Sequence, residues 1–530
     1  MAKGLSYQPL PDFGVNGLNT QNNPSTLDST WLTSADNIVL RESGRISFRK
    51  GLKQKVVPSD TAIGSLVEHN DQGTNKIFAS YGTSIYTIDF TSPNAAFPTG
   101  DDDTKHTVAN SSGDWQFINF NDRLHCFHAG VVPQRYDGSL GSGVKWIAHA
   151  TDPASIVTLF DPSCGMGYYG RIWAGGVAEA KDVVYYSNLL DGDDWTGGDT
   201  GLIDLSKVWD NDEIVALAPF YGKLIIFGKE NIVIYSSPET VGSLSVDEVI
   251  RGIGCVSRDS IQAIGDDLVF LSATGLRSFA RTTEKENLPL TDLSVNIKDT
   301  IIRNIGQSTN VKSVYVENEG VYIMSFVDKN INYVFDFKHI TPNEVPRVTT
   351  WSFDLDREPA SMVYTELYSG LLVGQKDGSI AGYEGYNDID LSWSGGAVYT
   401  NFPFVSDISS IWIPLGQGVQ ASLLKRMILV LEGGSGAPLS LKWYKDFNAE
   451  PSTITTILLN PITTGTVALW GASASLYGAS KYSPIYGMKE YKTPLTGSAK
   501  RLKLNLSIES NGYDASIQDL TLLHKEGKIR

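Results

Sequence analysis

Cysteine is scarce: 3 in 530 residues, at Cys126, Cys164 and Cys255. A widely spaced, odd-numbered trio builds neither a disulfide framework nor a four-thiolate metal site, so these read as buried free thiols. Long apolar runs are missing as well, and nothing approaches the roughly 20-residue stretch that crosses a bilayer as a helix. The opening residues, Met1 to Pro9, lack the apolar core of a secretory signal. The expectation is a soluble chain made in the cytoplasm. Helical periodicity is nearly absent. One segment shows it, Thr291 to Ile305, with Leu293, Ile297, Ile301 and Ile305 on one stripe behind a capping Thr291.

Enzymatic signatures are missing too. There is no G-x-S-x-G elbow, no H-E-x-x-H and no phosphate loop of the G-x-x-x-x-G-K type. With 59 Asp and Glu, any choice of a carboxylate pair for glycoside hydrolysis is arbitrary. No catalytic residue, cofactor or metal is therefore assigned. A net charge of -16 excludes a protein that grips phosphate over its whole surface, because that binding needs Lys and Arg to displace counterions.

What the chain has is β-forming and turn-forming residues: 51 Gly, 24 Tyr, 20 Phe and 11 Trp. A unit of strand, tight turn and strand recurs through its middle. The clearest copy is FYGKLIIFGKENIVIYSS, Phe220 to Ser237, and others end at Phe90, Gly138, Phe279, Phe337 and Gly385. They lie about 40 to 60 residues apart, the spacing of propeller blades of up to four strands. One gap of about twice that length precedes Ser237 and predicts a less regular blade. After Trp393 the strands lengthen and alternate, as in LSLKWYKDF from Leu439 and RLKLNLSIES from Arg501. The fold class read from this is all-β: a propeller of six or seven blades over 55–392 and a C-terminal β-sandwich over 393–530. Residues 1–54 form an N-terminal arm and basic strand region that joins a platform with the C-terminal domain.

Charge is unevenly spread. Residues 41–55 carry Arg41, Arg45, Arg49, Lys50, Lys53 and Lys55 against Glu42 alone, whereas 191–213 carry eight carboxylates against Lys207. Within the acidic loop, DGDDWTGGD from Asp191 to Asp199 has the carboxylates and glycines of a hard-cation site but not the terminal bidentate Glu, which favours a solvated loop. The run HCFH, His125 to His128, has ligand-like spacing, yet on a strand only Cys126 and His128 share a face, and no second pair follows. Between the C-terminal strands, 470–497 places Tyr477, Tyr482, Tyr486 and Tyr491 among Gly, Ser and Pro. Arg and Tyr favour buried interfaces, so Arg45, Arg49, Lys50, Tyr477, Tyr482 and Tyr486 are the candidate contacts to other subunits or to an adaptor.

Three stretches together resemble the tail nozzle proteins, or tail tubular protein B, of short-tailed bacteriophages. They are GVNGLNTQNNPSTLDSTWLTSADNIVLRESGRISFRKG from Gly14 to Gly51, the region from Tyr168 through YYSNLLDGDDW to Phe279, and SAKRLKLNLSIESNGYDASIQDLTLLHKEGKIR at the end. The resemblance covers about half the chain through order and combination of weak motifs. It implies a homohexameric ring in the virion tail, docked to an adaptor and to tail fibre proteins. A central channel would retain and then conduct double-stranded DNA. On that reading Asp191, Asp193 and Asp194 would line the channel and repel a polyanion. The main rival is a tail-associated propeller enzyme acting on host polysaccharide, and a third reading is a WD-type scaffold. The G-H signature of the latter is missing, and W-D occurs once, at Trp209-Asp210.

Overall fold

In a computed structural model of the chain, residues 5–527 are described apart from 42–44, 57–60, 89–102, 150–152, 154–156, 210, 286–291, 309, 355, 394–396, 417–419, 435 and 460–487. Antiparallel hairpins arranged around an axis make up its middle. The first blade pairs Ser65–Asp71, Thr74–Tyr81, Ser84–Ile88 and Lys105–Thr107. The second runs from Gln116–Phe120 to Trp146–Ala148, the third from Cys164–Tyr168 to Gly201–Asp204, and the fourth from Ile214–Phe220 to Ser245–Arg251, each of four strands. A three-stranded sheet follows, Gln262–Ile264, Asp267–Ser272 and Gly275–Ser278, and the helix Phe279–Lys285 stands where a fourth strand would be. The fifth blade is Val311–Val316, Val321–Phe326, Ile331–Ile340 and Pro346–Trp351. The sixth is Pro359–Thr365, Gly370–Gln375 and Ile380–Tyr383, closed by the N-terminal strand Leu52–Val56. The ring is thus six four-stranded blades and one three-stranded sheet.

Every hairpin singled out in the sequence is the second and third strand of one of these sheets. Those strands sit between two neighbours and are buried on both faces, as in Lys223–Gly228 and Asn231–Ser236, so they keep near-continuous apolar runs. The long gap holds the third blade. Its central hairpin, Arg171–Gly175 and Val183–Tyr186, is split by Gly175, Gly176 and a Val177–Ala180 bridge, which hid its pattern. The expected helix is present but begins late: a 3-10 turn at Val295–Ile297 leads into Lys298–Ile305, with Ile297 and Ile301 buried.

The outer strand of the fifth blade does not end the sheet. It pairs in parallel with Gly17–Leu18 and Trp31–Asp36, and the sheet continues through Val405–Ser410, Arg501–Glu509, Pro438–Lys445 and Thr453–Leu458. A second sheet, built on Ser422–Gly433 and Ala515–Glu526 with Ile38–Leu40, Ile46–Phe48 and Met488–Pro494, packs across it. Alternate residues from both, among them Leu429, Leu441, Trp443, Leu504, Leu506 and Leu520, fill one core, which is the C-terminal β-sandwich.

Arg49 ties these parts together. Its side chain is 0% exposed and meets both carboxylate oxygens of Asp388 at 3.1 Å. Its Nε donates to Asn37 Oδ1 at 2.9 Å, and the guanidinium lies between the rings of Phe404 (3.9 Å) and Phe353 (4.4 Å). Asn37, held at φ 55°, donates from Nδ2 to the Val405 carbonyl at 2.8 Å, and Asp388 also accepts the Leu52 N–H at 2.9 Å. The expectation that Arg49 contacts another subunit is therefore corrected: its charge is buried and neutralised within the chain. Removing one partner strands the other without water, so Arg49→Met lowers unfolding free energy by about 3–5 kcal/mol in urea denaturation. The Arg49→Met/Asp388→Leu pair loses clearly less than the two single losses added.

Candidate functional site

At the ends where the inner strands begin, the propeller axis is crossed by four charges. Arg258, in the short helix Arg258–Ser260, reaches Asp114 Oδ1 at 2.8 Å and the Asp114 carbonyl at 3.1 Å, and donates to the Ser163 carbonyl. Lys312 of the fifth blade bridges Asp114 and Asp259 at 2.5 and 2.6 Å. Burial alone would raise Asp114, but Arg258 and Lys312 outweigh it and hold the carboxyl below its usual range. Behind this network lies a cavity of about 250 Å³, lined by Ser65, Gln116, Gln262, Ser313 and Ser361 from five different sheets. A further cleft of about 390 Å³ shares Asp114, Arg258 and Asp259 with this network, and the ion pairs at these residues bridge the axis and plug it at this level.

The acidic loop leaves the third strand of the third blade and folds back on itself. Asp194 accepts from the backbone N–H groups of Thr196 (3.1 Å) and Gly197 (2.8 Å) and from Asn188 Nδ2 (3.0 Å). Those donors hold its carboxyl below the ordinary range. Asp191 is exposed and accepts the Asp193 N–H at 3.2 Å. Asp193 itself turns inward against the second blade, where it contacts Arg135 and lies 3.6 Å from Arg123. Of the three carboxylates expected to line a channel, Asp193 is corrected: it is buried among arginines. Asp194 caps its own turn and stays partly exposed, and Asp191 is exposed.

Beside Asp193 sit His125 and His149, both 0% exposed. Their ligating atoms and that of Asp193 lie within 4.8 Å of one another, the spacing of a metal centre. The hydrogen bonds decide otherwise. An indole N–H only donates, so Trp195 Nε1 at 3.1 Å makes His149 Nδ1 an acceptor. The ring's proton is then on Nε2, directed at His125 Nδ1 at 3.0 Å. That proton occupies the position a cation would take, and two guanidinium groups already face the carboxylate. The two neutral imidazoles form a seam between the second and third blades, beside the Asp193 carboxylate that faces Arg135 and Arg123. The sequence reading looked within HCFH and missed it, because His149 and Asp193 come from other strands and a lone His and a loop Asp leave no spacing signal.

The basic segment lines a cleft of about 850 Å³ between the second C-terminal sheet and the fifth blade. Arg45 pairs with Glu432 at 3.0 Å, Arg41 with Asp514 at 3.3 Å, Lys50 with Glu319, and Arg347 with Asp336. Arg45 and Lys50 remain partly exposed at its rim. Tyr477, Tyr482 and Tyr486 fall outside the described residues, while Tyr491 is buried in the strand Met488–Pro494. Cys126, Cys164 and Cys255 are buried and unpaired with one another.

The strand pairing places the chain among β-propeller proteins. No protein-family model matches it, and no curated protein does. Solved structures similar to it include Raptor of Chaetomium thermophilum, at a TM-score of 0.42 and 11% identity, covering 66% of this chain and 29% of that one. The Pan2 WD40 domain of Neurospora crassa matches at 0.40 and 8% identity over 63% of this chain and 96% of that one. U3-55K matches at 0.38 and 10% identity over 63% and 98%. The chain thus spans under a third of the length of Raptor. Likeness at this level concerns the propeller fold alone.

Burial, with Arg135 and Arg123 nearby, depresses His125 to about 3, and burial with His125 and Arg135 takes His149 well below its usual value. A depressed histidine favours the neutral fold, so its contribution is complete above the unfolded value near 6.5 and is lost as pH falls below it. Stability measured by denaturant titration falls from pH 7 to pH 5, by up to about 2 kcal/mol for each of these two histidines. The His125→Gln/His149→Gln variant shows a shallower fall, by about two protons' worth of slope, although His69, His128 and His524 are also depressed and keep theirs. An unchanged slope refutes the neutral-seam assignment.

Proposed function

We propose that the chain is a structural subunit of the tail nozzle ring of a short-tailed bacteriophage, non-catalytic and acting as a homohexamer in the virion tail. Six copies enclose a channel below an adaptor, retain packaged double-stranded DNA and conduct it outward. The observation that carries this reading is the junction of propeller and sandwich. The stretch that resembles the family's opening, Gly14 to Gly51, supplies the strands Gly17–Leu18, Trp31–Asp36, Ile38–Leu40 and Ile46–Phe48. These join the fifth blade to both C-terminal sheets. The C-terminal stretch of the resemblance supplies Arg501–Glu509 and Ala515–Glu526, an inner strand of each sheet.

A wall element of a conduit has to keep its shape under load, and continuous β-sheet between two cores supplies that. The propeller's own axis is plugged, so the DNA path belongs to the ring's centre, between copies. Native mass measurement of the 57.8 kDa chain, alone and with a preformed portal and adaptor, tests the proposal. The expected outcome is a hexamer, formed spontaneously or on that template, with six-fold averages by electron microscopy. A chain that stays monomeric in both settings overturns it and directs attention to the rival reading, a propeller enzyme on polysaccharide.

A further inference from the structure

Six large apolar side chains stand exposed on the third and fourth blades: Tyr169, Leu189, Leu190, Leu202, Tyr221 and Val246. Four of them form one knob at the turn ends of these blades. Leu189 and Leu190 lie over Gly170, where an added Cβ would meet them at 3.1 and 3.3 Å, and the Tyr169 hydroxyl reaches towards Gly222 in the next blade's turn. Asn121 of the second blade holds the Leu190 carbonyl at 2.6 Å. The backbone here is strained for such residues: Tyr169, Leu190 and Tyr221 have φ of 47°, 61° and 44°, a conformation that Gly or Asn adopts freely. Tyr221 is nonetheless 70% exposed, and Leu190 63%. Within the chain Tyr169 packs on Tyr168 at 4.4 Å and Tyr221 on Phe220 at 4.6 Å between ring centroids, yet strained turns that keep so much apolar surface in solvent mark a contact site.

Carboxylates flank the knob. Asp122, Asp191 and Glu239, in turns and loops at the same ends of the second, third and fourth blades, are exposed and make no ion pair with a described residue. The C-terminal domain has the opposite balance. Residues 422–530 hold 13 Lys and Arg against 8 Asp and Glu, in a chain whose remainder holds 30 against 51. At one end of its second sheet, where Leu423 pairs with Lys525, the side chains of Lys425, Arg426 and Lys525 are exposed and unpaired with any described carboxylate. Leu423 is exposed beside them and Ile428 is half-buried, whereas further along the strand Val430 stands between Glu490 and Asp519. The two surfaces stand at opposite ends of the molecule, since the third and fourth blades lie across the ring from the fifth and sixth, which carry the C-terminal domain.

We infer that the acidic, apolar knob of the third and fourth blades docks on the basic end of the C-terminal sheet, around Leu423, Lys425, Arg426 and Lys525, of a second copy of this chain. Two different surfaces at opposite ends make a heterologous contact, and repeating it closes a ring when the rotation allows. The apolar centre supplies the contact and the charges select its orientation. The inference rests on the reading of the chain as a ring subunit and names the faces that meet.

Charge reversal tests it. One variant carries Asp122→Lys, Asp191→Lys and Glu239→Lys; another carries Lys425→Glu, Arg426→Glu and Lys525→Glu. Each alone has two ends of the same sign and is expected to remain monomeric by native mass at the concentration where the wild type forms rings. Mixed one to one, every contact between unlike copies is again acid on base, and rings of alternating composition return. A third variant, Tyr169→Asn/Tyr221→Asn, relieves strain and removes the apolar centre, so its melting temperature holds or rises while the concentration for assembly rises at least tenfold. Single variants that assemble like the wild type overturn this contact and leave the nozzle reading standing. A wild type that stays monomeric even on portal and adaptor overturns both.

Discussion

A guanidinium removed from water must be neutralised and have its donors met where it sits, and around Arg49 that requirement is satisfied only when four distant parts of the chain arrive together. Asp388 comes from beyond the sixth blade, Ser352 and Phe353 from the end of the fifth, Asn37 from the N-terminal segment and Phe404 from the start of the sandwich. The same carboxylate accepts the Leu52 N–H and so sets where the closing strand of the propeller begins. Hydrophobic area alone would tolerate a range of placements of sandwich against propeller. A bidentate ion pair between two aromatic rings has a narrow geometry, so it selects one. Everything peripheral, including the cleft of paired charges around Arg45 and Lys50, follows from that placement.

The legible part of the fold was the part in which neighbouring residues bury each other. Lys223–Gly228 and Asn231–Ser236 are adjacent in sequence and paired in space, so their apolar runs and the turn between them carry the whole signal. The third blade was harder to see because its central hairpin is interrupted by Gly175 and Gly176 and keeps only two paired residues, Trp173 with Tyr186 and Ala174 with Tyr185. Closure of the ring was not legible at all. The strand Leu52–Val56 alternates as any half-buried strand does, and nothing local says that its partner lies more than 300 residues later; a boundary between 54 and 55 passes through it. Thr291, the expected cap, lies outside the described residues, and the late start of the helix has a related reason. Pairing of Arg277 with Asp292 and capping of Ser294 by Asp292 hold 292–294 out of the helix, which therefore starts at Lys298.

At the acidic loop the charges were legible and their destinations were not. Composition counts Asp191, Asp193 and Asp194 as three equal negative charges, but a tight turn has inside and outside positions and its own N–H groups to satisfy. Asp194 meets that need while staying partly exposed, Asp193 meets Arg135, and Asp191 is fully solvent-facing. In the same way Arg49 and Lys50 are neighbours in sequence and opposite in fate, one 0% exposed and the other at a cleft rim. Charge runs locate where electrostatics matter; burial decides for what.

The plugged axis constrains how such a chain can handle DNA. Asp114, Arg258, Asp259 and Lys312 join the second blade, the fifth blade and the short helix before the three-stranded sheet, with the Ser163 carbonyl of the third blade as a further acceptor. Opening the axis would break several charge-assisted bonds at once and leave Lys312, 8% exposed, without its carboxylates, an unfavourable state compared with sliding one copy against another. On the proposed nozzle reading, a duplex would therefore pass beside propellers and not through one. Gating would then belong to contacts between copies, which are screened and adjustable, with each propeller as the rigid part against which those contacts move.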